Sequence, residues 1–109
     1  MVVREKSGPN LVVALVSRLD EGSAAGVEDR LLAEIGDAVT RLVLDVSALE
    51  FLSSAGMRVL IVASKKVRAN GGDMAFTGVG PGIRKVLEIS GFTKMFRVVD
   101  SPADAFAPN

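Results

Sequence analysis

Two adjacent serines, Ser53 and Ser54, are the side chains of this sequence whose type and position best suit chemistry. They stand at the start of a predicted helix, where Ser53 suits the N-cap and Ser54 the first helical position. A phosphate on Ser54 would gain about 0.3–1 kcal/mol from the helix macrodipole and would meet free backbone N–H donors. Arg58, one turn further on the same face, would add a charge-assisted contact. The pair is compatible with a phosphorylation site, although plain helix capping is the commoner role of serines at a helix start.

The composition excludes most other catalytic chemistries. The chain has no His and no Cys among its 109 residues. Imidazole acid–base catalysis, thiolate nucleophiles and metal ligation by His or Cys are therefore excluded. A nucleophilic Ser54 would need a lysine base, and no Lys lies in the serine motif. We expect a protein that is not an enzyme and needs no cofactor or metal, although Asp20 and Asp45 leave open a carboxylate pair beside simple turn and cap roles.

Charge is balanced over the whole chain and uneven along it. Lys and Arg together number 13, as do Asp and Glu. The first 50 residues carry five basic and nine acidic side chains, whereas residues 51–109 carry eight basic and four acidic ones. A net charge of zero argues against general binding to nucleic acid or membranes. No apolar stretch is long enough to span a bilayer, and the N-terminus lacks a signal-peptide layout, so we expect a cytoplasmic protein. The sequence leaves the oligomeric state open, and a monomer is the default expectation.

Hydrophobic patterning predicts a single α/β domain over residues 1–109. Apolar runs bounded by turn residues predict buried strands, and apolar residues recurring every three or four positions predict amphipathic helices. Strands that alternate with crossover helices predict a mixed, mostly parallel sheet of about five strands, with about four helices. The predicted strands are 1–6, 11–16, 41–46, 73–77 and 95–99, and the predicted helices are 23–39, 54–69, 83–89 and 102–106. The buried face predicted for the second helix carries Met57, Leu60, Ile61, Ser64 and Val67.

Five motifs occur in an order and spacing that resemble the STAS domain family. They are S-R-L-D at 17–20, F-L-S-S-A-G-M-R-V-L at 51–60, N-G-G-D-M at 70–74, V-L-E-I-S-G-F-T-K-M-F at 86–96 and D-S-P-A-D-A at 100–105. The first stands where the family usually has G-x-L-D, so that Ser17 replaces a glycine. No single motif is specific, but the ordered set is, and the resemblance covers residues 11–105. Within the family, the sequence is similar to bacterial anti-sigma factor antagonists.

The resemblance implies a STAS-like fold and a partner-switching regulator. The unphosphorylated form would bind an anti-sigma factor that is also a serine kinase of the histidine-kinase ATPase fold, which frees the sigma factor. Phosphorylation would end that complex, and a metal-dependent serine phosphatase would reset it. With Gly56 as anchor, the family motif D-S-[ST]-G places the phosphoacceptor at Ser54, its Asp at Ser53 and the next hydroxyl at Ala55. Ser53 is the minor alternative acceptor, and Asp20 matches a family Asp near the phosphorylation loop.

Basic side chains follow the predicted acceptor along the second helix. Arg58, Lys65 and Arg68 fall on one stripe, which is either a solvated helix face or a docking surface for an acidic partner. The predicted partner-binding residues are Asp20, Ser53, Ala55, Gly56, Arg58 and Lys65. The alternative function is a STAS-like accessory subunit of an ABC-type lipid transporter. Such a subunit needs no phosphorylation, and the absence of the family Asp at position 53 keeps this alternative open.

Overall fold

The elements of the fold follow from a computed structural model that describes residues 1–91 and 97–106. In these residues the strands are β1 (Val2–Ser7), β2 (Asn10–Ala14), β3 (Ser17–Leu19), β4 (Arg41–Asp45), β5 (Leu49–Leu52), β6 (Asp73–Thr77) and β7 (Arg97–Val99). The helices are α1 (Ala24–Ile35), α2 (Ser54–Ala69), α3 (Pro81–Ile89) and α4 (Pro102–Phe106).

A five-stranded sheet in the order β1-β2-β4-β6-β7 forms the centre of the domain. β1 pairs antiparallel with β2 through the turn at Gly8 and Pro9, and the other neighbours are parallel. The parallel strands are in register across the sheet, since Leu11 lies opposite Leu42, which lies opposite Met74. The predicted α/β fold class and its mixed, mostly parallel sheet are confirmed.

Both faces of the sheet are buried, as expected for parallel strands with continuous apolar runs. One face packs against α1, α2 and α3, and the side chains at the centre of this core include Leu44, Leu60 and Phe76, each at most 1% exposed. The opposite face presents a smaller apolar cluster of Val12, Val43 and Ala75, which contacts Ala105 of α4. This packing holds the carboxyl ends of the strands, and the loops that follow them, in fixed positions.

Several predicted element boundaries need correction. The helix predicted over 23–39 ends at Ile35, because Gly36 adopts a φ of 52° that an α-helix does not contain. The strand predicted over 11–16 ends at Ala14, and Val16 is 36% exposed. The last strand is observed over Arg97–Val99, while positions 95 and 96 of the predicted strand lie outside the described residues. The helix predicted over 83–89 begins two residues earlier, at Pro81.

The second helix has the predicted bounds, and its buried face differs from the predicted one at Ile61. Ile61, predicted to be buried, is 38% exposed. The buried positions of α2 are Gly56, Val59, Leu60, Ala63, Ser64 and Val67. Three of these residues are small, so α2 packs closely against its neighbours. A search for large apolar side chains does not identify such a face from the sequence. Ile61 therefore points outward, on the face that Arg58 and Lys65 share.

Candidate functional site

A short second sheet places the serine pair beside the turn that contains Asp20. β3 and β5 form this two-stranded parallel sheet, which the sequence pattern did not reveal, with Leu19 opposite Leu52. The pairing continues one residue further, because the amide of Ser53 donates a 3.0 Å hydrogen bond to the carbonyl oxygen of Leu19. The residue after Leu19 is Asp20 and the residue after Ser53 is Ser54. The predicted acceptor and the predicted acidic residue therefore lie on neighbouring segments of backbone.

The two serines have different environments. The Ser53 side chain is the N-cap of α2, where its Oγ accepts a 3.2 Å hydrogen bond from the backbone N–H of Gly56. This side chain is buried, with 9% of its residue exposed. Ser54 is the first residue of α2 and is exposed to solvent. The accessible hydroxyl of the pair is thus the one on Ser54, and the predicted N-cap role of Ser53 is observed.

Gly56 allows the start of α2 to lie against β3. A Cβ at this position would collide with the carbonyl oxygen of Leu19, and it would lie 2.8 Å from Cδ1 of Leu52 and 2.9 Å from Cγ of Leu19. Gly56 is buried and Ala55 is half-buried. The small residues that follow the serine pair therefore bring the helix start and the Asp20 turn together.

Asp20 is held in a network of hydrogen bonds at the end of β3. Its carboxylate accepts a 3.2 Å bond from Nε of Arg18 and a 3.0 Å bond from the amide of Gly22. The bond from Arg18 lowers the pKa of Asp20 below its usual value of 3.8, against a smaller opposing effect of desolvation. The Ser23 hydroxyl accepts a bond from the Asp20 amide and donates to the Arg18 carbonyl oxygen. Asp20 is therefore a fixed negative charge beside the serine pair at neutral pH.

Arg18 also contacts an exposed aromatic ring. Its guanidinium carbon lies 4.3 Å from the centroid of Phe51, which is opposite Arg18 in the β3–β5 ladder. Phe51 is 41% exposed, so the stacked pair lies at the protein surface. Cation–π contacts of this kind contribute about 0.5–1 kcal/mol at exposed sites. Sequence analysis missed both residues, because their contact depends on the pairing of two short strands.

The outer face of α2 continues this surface away from Ser54. Arg58, Lys65 and Arg68 are exposed along it, as predicted, and Ile61 lies between them. Lys66, beside the stripe, forms a 2.9 Å ion pair with Asp37. The face that begins at Ser54 is therefore positively charged, with apolar contact area from Ile61.

Other residues considered from the sequence have structural roles. The carboxylate of Asp45 accepts a 2.9 Å bond from the amide of Ser47, which is the turn role foreseen as one alternative. Within residues 1–91 and 97–106, no group of three His, Cys, Asp or Glu side chains is arranged as a metal site. Ser17 adopts a left-handed φ of 60°, which favours glycine and explains why the G-x-L-D pattern has Gly there.

The comparisons with known proteins agree with this fold. The sequence model of the STAS domain matches residues 1–105. A single α/β domain of this topology, matched by that model, defines the class as a STAS-type module. The chain belongs to the STAS domain family.

Similar proteins within that family are named as anti-sigma factor antagonists. The chain is 34% identical over 97 residues to BtrV of Bordetella bronchiseptica, a candidate anti-sigma factor antagonist, covering 89% of this chain and 84% of BtrV. It is 32% identical over 96 residues to the anti-sigma-F factor antagonist RsfB of Mycobacterium tuberculosis, covering 86% and 76% of the two chains. The crystal structure of an anti-sigma factor antagonist from Mycobacterium paratuberculosis matches with a TM-score of 0.82 at 28% identity, covering 96% of this chain and 88% of that chain. Among the described residues, no helix combines the length and apolarity needed to span a membrane.

Proposed function

We propose that this chain is an anti-sigma factor antagonist whose binding is switched by phosphorylation of Ser54. The unphosphorylated form binds an anti-sigma factor that is also a serine kinase of the histidine-kinase ATPase fold, and the sigma factor is released. The observation that carries this proposal is the exposed hydroxyl of Ser54, one residue beyond a buried capping serine and beside the Asp20 turn. The names of the relatives support the choice of partner.

The modification itself is a transfer of the γ-phosphoryl group of ATP to Oγ of Ser54. The bond from the γ-phosphorus to the new oxygen forms while the bond to the bridging oxygen of ADP breaks. The hydroxyl proton passes to a base of the kinase, and ADP leaves. This chain contributes an accessible nucleophile on a rigid helix start, and all catalytic groups belong to the kinase. The chain itself is not an enzyme in this scheme.

Phosphorylation changes the charge of the docking surface without refolding the domain. The phosphate adds about −1.5 to −2 charges at pH 7 to a face whose exposed cations are Arg58 and Lys65. A partner that binds this face through acidic side chains then meets a like charge at the helix start. Repulsion or an unpaired charge of that kind typically costs about 2–5 kcal/mol of binding free energy. Local electrostatics is sufficient for the switch.

The replacement of the family Asp by Ser53 is compatible with the switch. Asp and Ser are both good N-cap residues, because each accepts a hydrogen bond from a backbone N–H in the first turn. The 3.2 Å bond from the Gly56 amide to Ser53 Oγ preserves that role. The replacement removes one negative charge next to the acceptor. The carboxylate of Asp20 remains on the neighbouring segment of backbone. The partner-binding set is Asp20, Ser53, Ala55, Gly56, Arg58 and Lys65.

The remaining features of the proposal follow from the same scheme. A metal-dependent serine phosphatase returns the protein to its binding form. The protein acts in the cytoplasm as a monomer, without nucleic acid, cofactor or membrane insertion. The relatives are named as anti-sigma factor antagonists, which does not favour the alternative of an ABC-transporter subunit.

The test is affinity capture from a lysate of the source organism with unphosphorylated protein as bait, followed by addition of ATP. The proposal expects an ATPase-fold kinase to be captured, ATP to release it from wild type, and the phosphate to map to Ser54 by mass spectrometry. Ser54→Ala should capture the same kinase and resist release by ATP. Ser47→Ala, which removes an exposed hydroxyl outside the partner-binding set, is the matched control and should still be released. Capture of a transporter ATPase, or release without a phosphate on Ser54, would refute the proposal.

A further inference from the structure

Arg18 lies close enough to Ser54 for its guanidinium to interact electrostatically with a charge on that side chain. β3 and β5 pair so that Arg18 is opposite Phe51, three residues before Ser54. Paired strands lie about 4.8 Å apart and three extended residues span about 10 Å, so a segment that continues straight from β5 places the two Cα atoms about 11 Å apart. An extended arginine side chain and a phosphoserine side chain together bridge a gap of that size. Arg18 can therefore reach a phosphate on Ser54 without any movement of the backbone.

In the unmodified protein Arg18 is already held close to this position. Its Nε donates to Oδ2 of Asp20 at 3.2 Å, and its guanidinium stacks on Phe51. The side chain is 59% exposed, so solvent weakens the ion pair and the guanidinium is free to change partner at small cost. Its two Nη atoms carry further N–H donors in the fork geometry that suits phosphate oxygens.

A phosphate on Ser54 would compete with Asp20 for this guanidinium. Asp20 offers a single negative charge, whereas the phosphate offers nearly two, with three strong acceptor oxygens. Arginine bonds to phosphate are charge-assisted and often bidentate, and they are about twice as strong as neutral hydrogen bonds. We propose that Arg18 is the intramolecular counter-ion of the Ser54 phosphate and exchanges its bond to Asp20 for one to the phosphate. This inference rests on the proposed function, because it assigns the residue that responds to the switch.

The exchange would alter the docking surface in two ways at once. The phosphate adds negative charge, and Arg18 is withdrawn from the exposed cations that an acidic partner meets. Pairing with Arg18 also stabilises the dianionic phosphate on the surface of its own domain. The Phe51 ring, against which the guanidinium stacks, keeps Arg18 near the helix start in both states.

The test measures the second pKa of the phosphate by ³¹P NMR titration of the full chain, with phosphoserine incorporated genetically at position 54. A counter-ion favours the dianion, so the phosphate pKa in wild type should lie at least about half a unit below that in Arg18→Gln. Arg18→Lys, which retains the charge, should restore most of the shift. Arg4→Gln, which removes an exposed cation from the edge strand β1, is the matched control and should titrate as wild type.

Two outcomes would overturn the role of Arg18. One is that wild type and Arg18→Gln have the same phosphate pKa. The other is that Arg58→Gln raises the phosphate pKa more than Arg18→Gln does, which would assign the main counter-ion to the helix. Because phosphoserine is incorporated without the kinase, failure here refutes only Arg18, whereas failure of ATP to modify Ser54 in the capture experiment refutes the proposed function.

Discussion

The amide of Ser53 donates a 3.0 Å hydrogen bond to the carbonyl oxygen of Leu19. This bond extends the β3–β5 ladder by one residue and connects the start of α2 to the turn that carries Asp20. Gly56 completes the contact, because any side chain there would collide with the same carbonyl oxygen. The position of Ser54 is thus determined by backbone contacts on two sides, which keep this residue exposed at the start of α2.

Substitution of Ser53 should lower the stability of the fold, whereas substitution of Ser54 should affect the switch and leave the stability nearly unchanged. Ser53→Ala removes the N-cap bond to the Gly56 amide and should lower the free energy of unfolding by about 1 kcal/mol. Ser54→Ala removes an exposed hydroxyl and should change it by less than about 0.5 kcal/mol. Urea unfolding followed by circular dichroism measures both values. A larger loss for Ser54→Ala than for Ser53→Ala would contradict the assignment of the two roles.

Gly56→Ala tests the close approach of α2 to β3. The added Cβ collides with the Leu19 carbonyl oxygen, so the free energy of unfolding should fall by about 1–3 kcal/mol. Gly26→Ala is the matched control, since Gly26 lies in α1 and a Cβ there would have no neighbour within 4 Å. That change should stabilise the protein by about 0.5–1 kcal/mol through helix propensity. Equal effects of the two substitutions in chemical denaturation would argue against the contact.

Ser17→Gly should stabilise the protein. Ser17 has a φ of 60°, a left-handed conformation that costs an L-residue about 1–2 kcal/mol, and glycine avoids most of this cost. Glycine also has greater freedom in the unfolded chain, so the net gain should be about 0.5–1 kcal/mol. Ser47→Gly, at an exposed turn residue without positive φ, should not stabilise. The midpoint of thermal unfolding of both variants checks the expectation, and a lower midpoint for Ser17→Gly would disprove it.

Asp20 should titrate below its ordinary pKa because of Arg18. The hydrogen bond from Arg18 lowers the pKa of Asp20 in the folded state below 3.8. A lowered pKa means that this carboxylate stabilises the fold above pH 3.8 and that the contribution is lost as the pH falls through the folded-state pKa. NMR titration of the side-chain carboxyl carbon should show this pKa rising towards 3.8 in Arg18→Gln. The pKa of Asp37, which Lys66 lowers, should stay the same and is the internal control.

Sequence patterns predicted the main elements well where side-chain periodicity determines them. The bounds of α2 and β6 agree with the structure, because Ser53 and Asn70-Gly71-Gly72 mark the helix ends and the strand is a short run after the glycines. Gly72 has a further role that the pattern did not reveal, since a Cβ there would collide with the backbone of Thr40. Such approaches between distant segments are tertiary properties.

The parts that sequence reasoning missed depend on pairing between short segments. β3 has three residues and β5 has four, and Phe51 is exposed although it lies in a largely apolar segment. Neither segment shows the alternation that identifies a strand. The contact of Arg18 with Phe51 follows from that pairing, so it was not foreseen, whereas the bond from Arg18 to Asp20 is local. The one available signal was the Arg-x-Asp spacing, which places both side chains on one side of an extended strand.

The most direct test of the switch compares the Kd of the captured anti-sigma factor for the unmodified protein and for the protein carrying phosphoserine at position 54. A binding penalty of about 2–5 kcal/mol predicts a Kd that is roughly 30- to 4,000-fold weaker for the phosphorylated form. Equal Kd values for the two forms, measured by isothermal titration calorimetry with both proteins folded, would contradict the account.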